Sequence, residues 1–278
     1  MPAHFYTPAP GTIIYHYTSF AGALAILESD SIWMSDFAKM NDPGEYHYAR
    51  ECYLHAYQNR EFYMDMEARL AATFALLGLE ENTVMFIACL SPNDDDPHQW
   101  RRYGGDGTGC AIGIDARVLH DGAGVTMRRV VYDRATIDSF VAVGLHMLQD
   151  QFEEAPHDRK TLIELARFFV SDLFAFKSPE YAAEREIRVS RMLLRDPEAE
   201  TGCTEVGGHQ VDGTELPPLP VKMRNGLAGP TAYISLPLTS AYGPAIRSVT
   251  LGPAVEDKTG AIAQLRHAAG AITVKTLA

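Results

Sequence analysis

The residues best suited to chemistry lie in "KSPEYAAEREIRVSR". Read as a strand from Glu184 to Ser190, this stretch alternates its side chains between faces. Glu184, Glu186 and Arg188 then share one face, and Arg185, Ile187 and Val189 the other. Two carboxylates on one face repel and raise the pKa of at least one, while a neighbouring guanidinium lowers them again. The same spacing also suits an edge strand with a solvated charged face. Far upstream, "GTIIYHYTSF" sets a titratable histidine in an apolar strand directly before a helix start. His16 is either a core histidine bonded to backbone or a ligand contact at the mouth of a cleft. In the second case it would donate a hydrogen bond to a ligand hydroxyl, with Thr18 and the open amides of the helix start adding donors.

Two further segments carry candidate groups. In "HQWRRYGGDGTGCAIGID" the glycines permit tight turns and close backbone approach. They precede a strand rather than a helix and no G-K-[ST] follows, so neither a phosphate loop nor a dinucleotide fingerprint is present. Trp100 and Tyr103 beside that turn either stack on a planar ring or fill the core. "MNDPGEYHY" holds Asp42, Glu45 and His47, which suit a metal or, as acids ahead of a helix, its N-terminal cap and dipole. There is no G-x-S-x-G, no H-E-x-x-H and no kinase set.

The elements that must position these groups follow from periodicity. "TIIYHY" reads as a strand and "TSFAGALAILESD" as a helix, with Thr18 or Ser19 as cap and Phe20, Leu24 and Leu27 at i, i+4, i+7. "SIWMSD" is a short strand and "AKMNDPGE" a turn. Two helices are predicted from Glu45 to about Gly78, then a buried strand "TVMFIACLS" and a strand "CAIGID". "VTMRRVVYD" follows as a strand, Thr136 to about Gln151 and Arg159 to about Phe176 as helices. Near the C-terminus, "TAYISLPL", "IRSVTLGP" and "ITVKTL" are strands and "DKTGAIAQLRHAAG" a helix. Residues 1–12 read as an N-terminal arm and 196–220, which lack apolar periodicity, as a mobile loop or insertion. Helices and strands mix without regular β-α-β alternation. This predicts an α+β fold, a mixed, mostly antiparallel sheet core with flanking helices, in one domain over 1–278.

Composition bounds the function. The chain has 278 residues, 46% hydrophobic and 22% charged, with a net charge of −12. An acidic surface opposes general DNA binding and anionic membranes. No apolar run is long enough to span a membrane and the N-terminus lacks a secretory pattern, so a cytoplasmic location is expected. None of Cys52, Cys89, Cys110 and Cys203 forms a C-x-x-C pair, which argues against structural zinc and for buried free thiols.

The ordered series "YHYTS", "IWMSD…NDPGE", "ACLS…QWRRYG…GTGCAIGID", "KSPEYAAEREIR" and "IRSVTLGP" resembles a largely bacterial family, domain of unknown function two-nine-seven-one, from about Ile14 to about Pro253. More distantly, "YHYTSFAGALAILESDSI" is similar to the first motif of ADP-ribosyltransferases of the diphtheria-toxin and poly-ADP-ribose-polymerase type. There an H-x-[ST] at a strand end leads into a helix, the histidine contacts an NAD ribose, an aromatic stacks on nicotinamide, and a late strand carries the catalytic Glu. This resemblance implies Glu186 as the catalytic carboxylate with Glu184 as its companion, and NAD as substrate. The NAD-binding candidates are His16, Tyr17, Thr18, Trp33, Trp100, Tyr103 and Arg188, with Tyr46 competing for the nicotinamide platform. The middle aromatic motif departs from the family pattern. Cleaving the nicotinamide–ribose bond creates an oxocarbenium-like centre, which needs a carboxylate, ribose hydrogen bonds and an aromatic clamp, and no metal. The expected function is an NAD-consuming transferase with an unidentified acceptor, in a toxin, effector or phage-defence setting. Its rivals are a non-catalytic sensing or interaction module on the same fold, and a metal-dependent hydrolase or nuclease built on Asp42, Glu45 and His47.

Overall fold

The computed structural model describes residues 5–39, 44–59, 64–226, 229–270 and 272–277, with the side chains of 79 and 80 excepted. In chain order the strands begin with β1 (Ile13–Thr18), β2 (Ser31–Asp36), β3 (Thr83–Leu90), β4 (Cys110–Asp115), β5 (Thr126–Arg129) and β6 (Ile187–Arg195). Short pieces β7 (Cys203–Thr204), β8 (Gly208–His209) and β9 (Glu215–Leu216) precede β10 (Lys222–Gly226) and β11 (Gly229–Pro237). β12 (Thr239–Ser240), β13 (Gly243–Pro244), β14 (Ile246–Leu251) and β15 (Thr273–Thr276) complete the series. The helices are α1 (Phe20–Ser29), α2 (Gly44–Gln58), α3 (Met66–Asn82), α4 (Pro97–Arg102), α5 (Ala116–Gly122), α6 (Arg134–Glu154), α7 (Arg159–Val170) and α8 (Lys258–Ala269).

The fold is α+β. One sheet runs β1-β4-β14-β15 and the larger β10-β11-β2-β3-β6-β5, with β7 on the end of β6; every pairing is antiparallel except β14 with β15. Reciprocal backbone bonds between Tyr15 and Ser91, 2.8 Å each way, tie β1 to the segment leaving β3 and so join the two sheets. Period-two alternation sends Val84, Phe86, Ala88 and Leu90 into a core shared with Ile14, Ile112 and Ile114 of the smaller sheet. Met85 and Ile87 point the other way, into a second core under α2, α3, α6 and α7. β3 is therefore apolar on both faces, the pattern of a central strand.

Several local expectations are refined. Ser19, not Thr18, caps α1 by accepting from Gly22 N at 3.1 Å. "VTMRRVVYD" pairs with β6 as a strand for four residues only, after which Val131 bridges Phe176 and Asp133 caps α6 by accepting from Thr136 N. The described part of the N-terminal arm docks on β5, with Tyr6 N donating to Met127 O at 3.0 Å and the Tyr6 side chain buried. Stretch 196–220, expected as a mobile loop, carries β7 to β9. It is anchored by Glu205, which is buried against Arg191 at 3.2 Å, and by buried Gln210. Cys203 and Leu219 join the core, but they are isolated and the other anchors are polar, which is why apolar periodicity did not reveal them. Among the described residues no helix is long and apolar enough to cross a membrane.

Ile112 is fully buried where the sheets face each other. Ile112→Ala is expected to lower unfolding free energy by about 2–5 kcal/mol in urea denaturation, through lost burial and the cavity left behind.

Candidate functional site

A cleft of ≈ 660 Å³ opens beside β1, α1 and the larger sheet, and its far end is closed by a buried cluster of charges. The cluster is built by chain geometry rather than by strand alternation. Glu184 ends a 3-10 turn (Pro179–Glu184), Arg185 takes a left-handed conformation at φ 44°, and β6 begins only at Ile187. The expected strand from Glu184 is thus corrected. The two glutamates still converge, because the left-handed residue reverses the chain between them and aims both at Lys177.

Lys177 Nζ lies 2.6 Å from Glu184 Oε2, 3.1 Å from Glu186 Oε2 and 3.6 Å from Glu45 Oε2. Arg188 grips the same carboxylates from the strand. Its Nε donates to Glu186 Oε1 at 2.8 Å, its Nη2 bonds Glu186 and Glu45, and its Nη1 donates to Phe174 O at 2.6 Å. All five side chains are buried. Lys177 and Arg188, with Arg102 also 3.5 Å from Glu184, balance the three carboxylates when all are ionised. Burial alone would raise Glu186, but Arg188 and Lys177 outweigh it and hold its carboxyl down to about 2. Glu45 is shifted upward, its burial exceeding the pull of Arg188 and Lys177. Lys177 stays charged: burial opposes this, and Glu186 and Glu45 override it. The Cys89 thiol, pushed well up by burial and by Glu186, is a neutral donor to that carboxylate.

A rim of aromatic and basic groups meets the cluster. Tyr103 OH donates to Glu184 Oε1 at 3.4 Å, Arg102 Nε sits 3.5 Å from the same oxygen, and Gln99 Nε2 donates to the Glu184 carbonyl at 3.0 Å. All three come from α4 and its C-terminal end, which the buried N-cap Asp96 fixes by accepting from His98 N at 2.9 Å.

His16 and Thr18, on the β1 face that buries Ile14, also line this cleft. His16 Nδ1 is 3.1 Å from Cys89 O; a carbonyl only accepts, so Nδ1 carries the proton. Burial lowers the His16 pKa, with the Cys89 carbonyl opposing, so the ring is neutral near pH 7 and Nε2 is an acceptor. The expected donation to a ligand hydroxyl is therefore not open to this tautomer, whose Nε2 can only accept. Thr18 Oγ1 fills the space beside Gly22, where an added Cβ would meet it at 2.3 Å.

The remaining candidates divide. Trp33, Tyr103, Arg188, Glu184 and Glu186 all line the cleft. Tyr17 touches its wall, but its hydroxyl is spent on the loop after β3, donating to Asn93 O at 2.8 Å and accepting from Asp96 N at 3.0 Å. Trp100 is corrected to a core residue, absent from the cleft lining: it is buried, its ring meets Tyr17 edge-on at 4.7 Å, and its Nε1 donates to Asp95. Tyr46 stacks on Phe174 away from the cleft. Asp42 lies outside the described residues, His47 is exposed, and Glu45 faces Arg188 and Lys177. Among the described residues no group of three or more potential ligands could hold a metal. Sequence reasoning missed Lys177, Arg102 and the true place of Glu45. Only Lys177 left a signal, as the basic residue opening the very segment that holds both glutamates.

A family model described as "Protein of unknown function (DUF2971)" matches residues 99–189. This supports the expected family over about a third of the chain, the part that contains Gln99, Arg102, Tyr103, Lys177, Glu184, Glu186 and Arg188. No curated protein and no solved structure matches the chain.

Removing one partner of a buried ion cluster strands the others. Lys177→Met is expected to destabilise the protein by about 3–5 kcal/mol at pH 7 in urea unfolding. The Glu186 carboxyl titrates lower in the folded chain than its ordinary 4.5, so its stabilisation is present above that value and is lost as pH falls toward about 2. Glu186→Gln should flatten the acid limb of the stability–pH curve over that window.

Proposed function

We propose that the chain is an NAD-consuming enzyme of ADP-ribosyltransferase type, with Glu186 and Glu184 at the reacting ribose. The observation that supports this most is the meeting of His16 with the Glu184–Glu186 pair, far apart in sequence, in one cleft with Tyr103 beside the carboxylates. A cleft of ≈ 660 Å³ lies within the range of small-molecule sites.

In this reading the nicotinamide–ribose C–N bond breaks with its electron pair going to the ring nitrogen, which neutralises the ring's positive charge. No general acid is needed for that departure. The Glu186 and Glu184 carboxylates, held in place beside the ribose, stabilise the oxocarbenium centre left on it. The neutral Nε2 of His16 accepts from a ribose hydroxyl and fixes the sugar's orientation. Tyr103 is the aromatic best placed against the carboxylates to carry the nicotinamide ring. An acceptor nucleophile then adds to the ribose carbon and its proton passes to solvent; water as acceptor gives free ADP-ribose.

A second reading, a non-catalytic sensor on the same site, is favoured by one feature: both Glu186 oxygens are already engaged by Arg188 and Lys177. The two readings part in one experiment. Incubation with NAD should release nicotinamide, and Glu186→Gln should cut the rate by about 100- to 1000-fold, the usual cost of removing a group that stabilises transition-state charge. NAD binding by calorimetry with no nicotinamide release, and none in the presence of cell lysate, would establish the sensor reading instead.

A further inference from the structure

Away from the carboxylates the cleft changes character. On the larger sheet the register pairs Trp33 with Ser235, Ser35 with Tyr233, and Tyr233 with Lys222. With side chains alternating along each strand, Trp33, Ser35, Tyr233, Ser235, Lys222 and Arg224 form one continuous face, and all six line the cleft. The acidic residues lining the cleft are Glu45, Glu184 and Glu186, and none of them lies on these three strands. In a chain of net charge −12, this face presents two cations and no acid.

Arg224 is poised rather than spent. Its Nη2 donates to Ser35 Oγ at 3.0 Å and its guanidinium lies 5.3 Å over the Trp33 ring. Its Nε is buried with no hydrogen-bond partner. An unmet buried donor on a charged group is costly, and an anion satisfies it best. Trp33 and Tyr233 lie 4.6 Å apart and Trp33 is 48% exposed, which leaves apolar ring surface open beside the cations.

We infer that this face of β2, β11 and β10 is a phosphate subsite for a small nucleotide, with Arg224 and Lys222 holding the phosphate oxygens and Trp33 and Tyr233 flanking them. The reach of Arg224 to Ser35 sets its guanidinium above β2. Ser35 is in register with Ile87 and Ser190, so Arg188 lies two strand spacings across and two residues along, about 12 Å away, a span that suits a ribose joined to a diphosphate. The cleft thus has two unlike parts: an end where carboxylates and cations balance, and a face that carries cations alone. NAD divides in the same way, with a ribose and cationic ring to meet the carboxylates and a diphosphate to meet the cations. That orientation rests on the function proposed above; phosphate binding by this face does not.

The test is calorimetry with ADP and with adenosine on the full chain, for Arg224→Met, Lys222→Met and the double variant, each first checked for unchanged thermal unfolding. ADP affinity is expected to fall about 10- to 100-fold in the Arg224→Met protein and further in the double variant, and to fall with added salt. Adenosine affinity should stay within about twofold. Arg224→Lys, which keeps the charge but loses the fork, should lie between the two and serves if the Met variant does not fold. ADP binding equally well to the double variant, no ADP binding by the unaltered chain, or tighter binding of a single-stranded oligonucleotide than of ADP would overturn the assignment. Loss of ADP binding in the double variant without nicotinamide release by the unaltered protein keeps this subsite and removes the catalytic reading. Nicotinamide release with an unchanged KM for NAD in the double variant does the reverse.

Discussion

The site depends on a compromise among five buried charges. Glu45, Glu184 and Glu186 cannot share a water-poor space without cations, and Lys177 and Arg188 cannot be buried there without carboxylates. Each member comes from a different local setting: the start of α2, the segment before the 3-10 turn, the turn itself, the residue after its left-handed exit, and the first residues of β6. The cluster therefore brings the helical layer into register with the sheet. Its geometry is over-determined, since Lys177 reaches three carboxylates and Arg188 bonds two of them and a backbone carbonyl. Such a group holds its carboxylates in place before any ligand arrives, which is the condition under which fixed charges are effective in a low-dielectric site.

Around this fixed point the two sheets divide the work. The smaller sheet supplies His16 and Thr18 from the end of β1, where the Tyr15–Ser91 bridge binds it to its neighbour. The larger sheet supplies the charged end at β6 and the cationic, aromatic face at β2, β11 and β10. The glycine-rich turn contributes by closeness alone: a Cβ on Gly109 would sit 2.2 Å from Thr18 O. Small residues there allow the loop that ends with β4 to pass directly under the cleft's rim.

Much of this was legible in the chain. Continuous apolar runs located β1, β3 and β4, and spacing of 3.6 residues located α1 and α8. The gathering of Glu184, Glu186 and Arg188 was also legible, though for a reason other than strand alternation, since the left-handed Arg185 does what alternation was expected to do. What could not be read were contacts that cross the chain. Lys177 and Glu45 acquire their meaning from partners on other elements, and Trp100 lost its expected role because Tyr17 and Asp95 claim its ring and its N–H. The Lys222–Arg224 face was invisible for the same reason. Two basic residues on a short polar strand mean little until register sets them beside Trp33 and Ser35.

Under the proposed function, the Cys89 carbonyl that holds His16 Nδ1 has a consequence for which sugars would fit. A ring nitrogen confined to accepting is answered by a hydroxyl and by nothing that offers only lone pairs. A deoxy or alkylated sugar placed there would leave that nitrogen without a partner, in a position where burial already disfavours protonating it. One backbone oxygen at the end of a strand would thereby let the cleft select a free hydroxyl, through a tautomer instead of through shape.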